Sequence, residues 1–282
     1  MSTSTKDLKK LAQAYLRSQG FYSGEIDGIW GDLSNKAFLR YTSHLHSLDM
    51  EIGDEQGIVE DGAPTALSGV VVLDPGHGGT KKIGGSSPNN ATSASGVLEK
   101  AMTLDMAKRV QKQLKQIASL APGSDIKVHL TRSGDTNLGL SDRAQVAEAK
   151  NANIFVSIHF NGFNGSVRGT ETLILSEANG NVNEAEDRRL AKRIQESMFS
   201  AIRKLDPAAR DRGVKDGQKL GVLNDVSLGN TRGDHTTRAC LIEIEFIDNP
   251  DVDKLLNSGT GSDKARDAIA AAIAEAIIAD LA

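Results

Sequence analysis

Hydrophobic positions along this chain change their period between its first and second parts. Leu8, Leu11, Ala12, Tyr15 and Leu16 recur at helical spacing. That pattern stops at "SQGFYSGEIDGIWGD", where Gly20, Gly24 and the Asp27-Gly28 pair mark turns. A second short helix is predicted around "SNKAFLRYTSHLHSL", and the acidic, turn-rich residues 49–68 read as a linker. From residue 69, apolar strands alternate with one-faced helices. The strands are "VVVLDP", "IKVHLTR", "IFVSIHF", "GTETLIL" and "ACLIEIEF". The helices follow Leu98 to Ile117, "SDRAQVAEAKNA", roughly 183–204, and Ile269 to Leu281. This order predicts an α/β domain over 69–282, a mainly parallel sheet with helices on both faces, after a small all-α domain over 1–48.

The opening strand ends in "DPGHGG", which leaves His77 among residues of almost no bulk. Ligands gather at the carboxyl ends of strands in such sheets. His159 lies at the end of "IFVSIHF", on the face shared by Phe155, Ser157 and Asn161. Glu243 and Glu245 share one face of "ACLIEIEF", and carboxylates in an apolar strand are costly unless paired, protonated or bound to a cation. Glu99 opens the first long helix of this domain. Two histidines and two or three carboxylates are thus expected at one sheet edge. Two His and one Glu on zinc, with an open position, is a catalytic arrangement. Zinc would polarise a carbonyl and lower the pKa of its water, and a free carboxylate would shuttle the proton. The glycines would leave room for metal and substrate beside His77.

Taken singly, each residue has a plainer reading. His77 can be a solvated turn residue, Glu99 a favourable charge at a helix N-terminus, and His159 a satisfied core histidine. Asp74 reads as a turn former before Pro75 or as a partner behind the ligands. His129, His44 and His46 read as structural or solvated, and His235 as a loop residue.

A net charge of −4 gives no reason to expect nucleic acid, and Cys240 is the one cysteine, so neither a disulfide framework nor a thiolate metal cluster is available. Nucleotide-binding patterns fail: Gly84 is followed by Gly85 instead of Lys, and Lys81 replaces the third glycine of G-x-G-x-x-G. No apolar run suits membrane insertion and no secretory signal is visible, so synthesis in the cytoplasm is expected, with delivery to the periplasm or wall by another route.

"VVLDPGHGG", "GVLEKAMTLDMAKRV", "LTRSGD", "LSDRAQVAEAKNANIFVSIHFNG", "RGTETLIL" and "LIEIEFIDNPDV" occur in order. Together they resemble the zinc-dependent N-acetylmuramoyl-L-alanine amidases of the third amidase class, over residues 69–282. The resemblance implies hydrolysis of the amide between N-acetylmuramic acid and L-alanine in peptidoglycan. It implies zinc ligands at His77, Glu99 and His159, and a catalytic glutamate at Glu243. Glu245 replaces the family's usual glycine and is the alternative for that role. Asn161 and Ser157 are candidates for orienting ligand or substrate. "TKKIGGSSPNNATSAS" reads as an inserted surface loop.

"LAQAYLRSQGFYSGEIDGIWGDLSNKAF" is similar to the small helical peptidoglycan-binding domain, which nominates Tyr22, Asp27 and Trp30 for wall binding, with Ile26 and Trp30 equally able to plug a small core. A wall-held enzyme sees a raised local substrate concentration. A phage lysin released through membrane pores, or an effector delivered by a secretion machine and countered by an immunity protein or gated by an activator, are the settings this combination suggests. The rivals are an inactive wall-binding protein and a zinc peptidase cutting within the stem peptide.

Overall fold

The computed structural model describes residues 5–18, 21–30, 34, 37–38, 41, 67–120, 124–217, 220–231 and 237–281. They fall in two compact units, one holding the N-terminal residues and the other most of the chain from Ser68 to Leu281.

In the N-terminal unit, α1 (Thr5–Ser18) is followed by the 21–30 turns, and Ser34, Ala37, Phe38 and Tyr41 are helical. Leu16, Tyr22 and Ala37 form its small core, with Phe21, Trp30, Phe38 and Tyr41 against them. Gln13 organises the turns: its amide lies 3.1 Å from the Tyr22 hydroxyl and 3.0 Å from Asp27 Oδ1, and its Oε1 accepts from Gly28 N–H at 2.8 Å. Gly28 has φ +75, and a Cβ there would come 2.5 Å from the Lys6 carbonyl oxygen. The predicted linker residues 49–66 lie outside the described residues, and its last residue, Ser68, opens a strand.

The larger unit is built on a six-stranded sheet. Its strands are β1 (Ser68–Pro75), β2 (Asp125–Leu130), β3 (Ile154–Asn161), β4 (Thr170–Ile174), β5 (Asp211–Asp216) and β6 (Arg238–Phe246), ordered β2-β1-β3-β6-β4-β5. The β1–β3, β3–β6 and β4–β5 pairs are parallel, and β4 runs antiparallel to β6. Its long helices are α2 (Glu99–Leu120), α3 (Leu140–Ala149), α4 (Glu184–Leu205) and α5 (Ser262–Leu281). As expected from the alternation of apolar residues, both faces are covered. Ala144 and Ala147 of α3 share a core with Val72, Phe155 and Leu241. On the other face, Gln195 of α4 accepts a hydrogen bond from Thr172.

The sequence pattern misses β5, because "DRGVKD" offers one apolar residue. It forms where β4 presents an unpaired edge, and tertiary pairing overrides its weak strand preference. The reversal of β4 is also invisible in the period, which carries no direction.

Candidate active site

Three elements bring donors together. β1 ends in a turn that places His77 at φ +62, a conformation uncommon outside glycine. Two buried guanidinium groups hold that turn. Arg143, from α3, donates to Asp74 Oδ1 and to the Pro75 and His77 carbonyls, each at 2.8 Å. Arg132 donates to the Pro75 carbonyl at 2.9 Å, and to the Gly76 and Lys100 carbonyls at 2.8 Å. Arg132 thereby ties the His77 turn to the first turn of α2, where Glu99 sits. Burial, and secondarily the charge of Arg143, pull the Arg132 pKa down to about 10.

Glu99 is 1% exposed, and its Oε1 lies 3.1 Å from both His77 Nε2 and His159 Nδ1. The two imidazoles meet edge to face with centroids 4.8 Å apart. Phe160 N–H donates to Glu99 Oε1 at 3.2 Å, and Ala91 N–H donates to Oε2 at 2.9 Å. Burial works to raise the Glu99 pKa, but the hydrogen bond of His159 leads the effects that outweigh it and hold the carboxyl well below the usual range.

His77 Nδ1 lies 3.0 Å from the Ser87 carbonyl. A carbonyl can only accept, so Nδ1 carries the proton and Nε2 turns its lone pair inward. That Nε2 is buried and has no hydrogen-bond partner among the described residues. An orphaned imidazole nitrogen facing a carboxylate and a second imidazole is what a cation-binding N,N,O donor set requires, and the bond to Ser87 is the outer contact that orients such a ligand.

His159 pairs with Glu243 across the β3–β6 ladder. Glu243 keeps a little surface while its Oε2 is enclosed without a hydrogen-bond partner among the described residues. Burial, then the charges of Glu99 and Glu171, push its pKa well above the ordinary carboxylate value.

Residues 71–277 match the N-acetylmuramoyl-L-alanine amidase family, Amidase_3. The chain belongs to this family. An uncharacterized cell wall amidase of Bacillus anthracis is 33% identical over 72% of this chain, which spans only 34% of that relative's length. AmiA, an N-acetylmuramoyl-L-alanine amidase of Escherichia coli K12, is 30% identical over 74% of this chain and 75% of its own. The catalytic domain of CwlV, an amidase from Paenibacillus polymyxa, shares the fold at TM-score 0.54, with 30% identity over 74% of this chain and 96% of that domain.

Within this amidase fold the structure gathers His77, Glu99 and His159 and sets Glu243 beside them. Ser157 is fully buried and donates to Asp74 Oδ2 at 2.7 Å, so its hydroxyl serves the Asp74–Arg143 pair. Asp74 is more than a turn former. Its carboxylate takes Arg143, Thr131 and Ser157, and their effect exceeds that of burial, lowering its pKa. Asn161 donates to Glu171 Oε1 at 2.9 Å.

Glu245 lies elsewhere. The pairing jumps from His159–Glu243 to Asn161–Phe246, a bulge that interrupts the alternation expected to keep both glutamates together. Glu245 Oε2 accepts from Gly169 N–H at 2.7 Å and Phe246 N–H at 3.0 Å. Arg238 on the same strand binds Asp280 and not Glu245. His235 lies outside the described residues, as do His44 and His46.

Two glycines beside His77 admit other parts of the protein. A Cβ on Gly76 would come 2.2 Å from His159 Cε1, and one on Gly78 would come 2.3 Å from the Thr136 carbonyl oxygen. They admit the second imidazole and a neighbouring backbone. The stretch read as a surface insertion is also part of the site, since Ser87 and Ala91 hold His77 and Glu99. Ala91 acts through its backbone N–H, and Ser87 through its carbonyl with its hydroxyl 3.1 Å from the same His77 Nδ1. Arg132, Arg143 and Glu171 were missed although charges in "LTR", "DRAQ" and "TETLI" stand beside apolar positions.

In the N-terminal unit, Tyr22 and Asp27 are committed to Gln13 and to the turn, with Asp27 Oδ1 accepting from Ile29 N–H at 2.9 Å. Trp30 packs edge-on to Phe38. Ile29 is the most exposed large apolar side chain in this unit's described residues, at 67%.

Proposed function

We propose that this chain is a zinc-dependent hydrolase of the amide between N-acetylmuramic acid and L-alanine in peptidoglycan. The observation that carries this reading is the convergence of His77, Glu99 and His159, with Glu243 in register beside His159. The donor set of two imidazoles and one carboxylate suits zinc with a position left open. When bound there, zinc supplies Lewis acidity at a carbonyl and a more acidic water. Glu243 is the proton carrier: its carboxylate accepts a proton from the attacking water and returns one to the departing alanine nitrogen, giving a free carboxylic acid and a free amine. Ser87 fixes the His77 tautomer, and Arg132 and Arg143 hold the turn that presents the ring.

The N-terminal unit is assigned to wall binding through its likeness to peptidoglycan-binding domains, with Trp30 and Ile29 nearest the task. Likeness to the endolysin of Bacillus phage SPP1, at 29% identity over 74% of this chain, supports a lysin as the setting, with a delivered effector as the other. Among the described residues no helix is long and apolar enough to cross a membrane.

Mass spectrometry of products from purified peptidoglycan tests the reaction. Stem peptides beginning at L-alanine are expected from zinc-loaded protein, and none after chelation. Cuts within the stem would make it a peptidase. No cleavage with zinc bound would make it a wall-binding protein.

A further inference from the structure

Glu171 stands directly opposite Glu243 in the antiparallel β4–β6 ladder. His159, Glu243 and Glu171 therefore form a row across three adjacent strands. Arg212 Nε donates to Glu171 Oε2 at 2.8 Å, and Lys215 Nζ binds the same oxygen. Residues three positions apart on a regular strand point to opposite faces. Here they reach one carboxylate because β5 is bulged: Thr170 pairs with Asp211, yet Thr172 pairs with Val214. Gly213, at φ +74, supplies the left-handed residue of that bulge. The Arg212 guanidinium also lies 5.1 Å from the centroid of the Phe246 ring, which holds it in place.

Two cations converge on one carboxylate, so the trio carries a surplus positive charge beside the catalytic row. Burial opposes ionisation of Glu171, but Lys215, Arg212 and Asn161 together keep its pKa lowered. Arg212 is 33% exposed and Lys215 41%, and the Arg212 Nη groups make no other hydrogen bond among the described residues. These donors are free to meet a ligand.

We propose that Arg212 and Lys215 form a carboxylate-binding subsite for the peptide side of the scissile amide. This rests on the amidase reading. The cationic heads stand at Glu171, about 4.8 Å of strand spacing from Glu243, and two extended residues of a peptide span roughly 7 Å. The second stem residue of peptidoglycan is a glutamate joined through its side-chain carboxyl, which leaves its α-carboxyl as a free acid or a primary amide. The acid accepts from a guanidinium and an ammonium with full charge assistance. The amide is uncharged and offers its one carbonyl oxygen to only one of the two cations, so it loses that charge assistance. The subsite therefore selects stems with a free acid at that position.

The test uses two soluble disaccharide-pentapeptides that differ only in this group, with zinc-loaded wild-type protein. The acid form is expected to have about tenfold higher kcat/KM, expressed in KM and narrowing as salt is raised. Arg212→Gln and Lys215→Gln, each of which leaves Glu171 one cation, are expected to bring the acid-to-amide ratio severalfold closer to one. A structural role for the pair would depress both substrates together with the ratio unchanged, which would overturn the subsite. Equal turnover by wild type, or preference for the amide, overturns the subsite and leaves the amidase intact. Turnover of neither overturns both.

Discussion

His159 and Glu243 are direct partners across the β3–β6 ladder, and their side chains leave the same face of the sheet. The sheet thus supplies both a donor nitrogen and the carboxylate proposed to carry the proton. Their spacing is set by backbone hydrogen bonds instead of loop geometry. The other two donors come from the β1 turn and the α2 N-terminus, which Arg132 ties together.

Gly76 is where one methyl group should damage the site. Its Cβ would overlap the His159 ring, which must rotate or carry the β1 turn away. Gly76→Ala is expected to cost about 1–3 kcal/mol of stability, as overpacking does, and to lower zinc affinity and turnover by more than tenfold. Gly134→Ala, whose Cβ would meet nothing within 4 Å, is the control and should stay near wild type. Metal titration and denaturant unfolding of the two variants check this.

The Asp74–Arg143 pair is almost fully buried, at 1% and 2% exposure. Breaking it strands a charge. Arg143→Met is expected to destabilise by roughly 3–5 kcal/mol, with added loss of activity because the His77 carbonyl also loses its donor. Asp74→Asn combined with Arg143→Met should cost less than the sum of the single changes, a coupling that a double-mutant cycle in urea would measure.

Asp187 should give the stability curve a falling limb. Burial raises its pKa from 3.8 to about 7, against the lowering effect of hydrogen bonds from Ala239 N–H and Asn181. Between these values the native state keeps a proton that the unfolded chain has released. Stability therefore falls as pH rises through that window, by up to about 1.4 kcal/mol per pH unit, and is undiminished by this group below it. In Asp187→Asn that slope should flatten between pH 4.5 and 6.5. Equal slopes in urea unfolding would place the titration elsewhere.

Removing the metal should loosen the site as well as silence it. Zinc at one hundred times its dissociation constant adds about 2.7 kcal/mol to a native state that alone binds it. Chelation is expected to lower Tm by several degrees in the wild type and hardly at all in His159→Ala.

Much of this was legible in the sequence. The interruption of "IEIEF" by carboxylates, and the placement of histidines at strand ends, mark His159, Glu243 and the His77 turn in the sequence itself. Three kinds of information were missing. Bulges are set by pairing, so the separation of Glu243 from Glu245 and the meeting of Arg212 and Lys215 at Glu171 left no periodic trace. The hydrogen bonds from the Ala91 N–H and to the Ser87 carbonyl are backbone contacts, independent of side-chain identity. Buried arginines such as Arg143 look like surface charges until a partner for them is known.

Zinc stoichiometry and turnover measured on the same samples test the central claim most directly. Wild type should bind one zinc and release stem peptides from peptidoglycan. Glu243→Gln should still bind one zinc and lose activity by about 10²–10⁴-fold, the range for a lost proton carrier. His159→Ala should lose both. Near-normal turnover in Glu243→Gln, or undiminished zinc binding in His159→Ala, would contradict the assignment of donors and proton carrier made from this sheet.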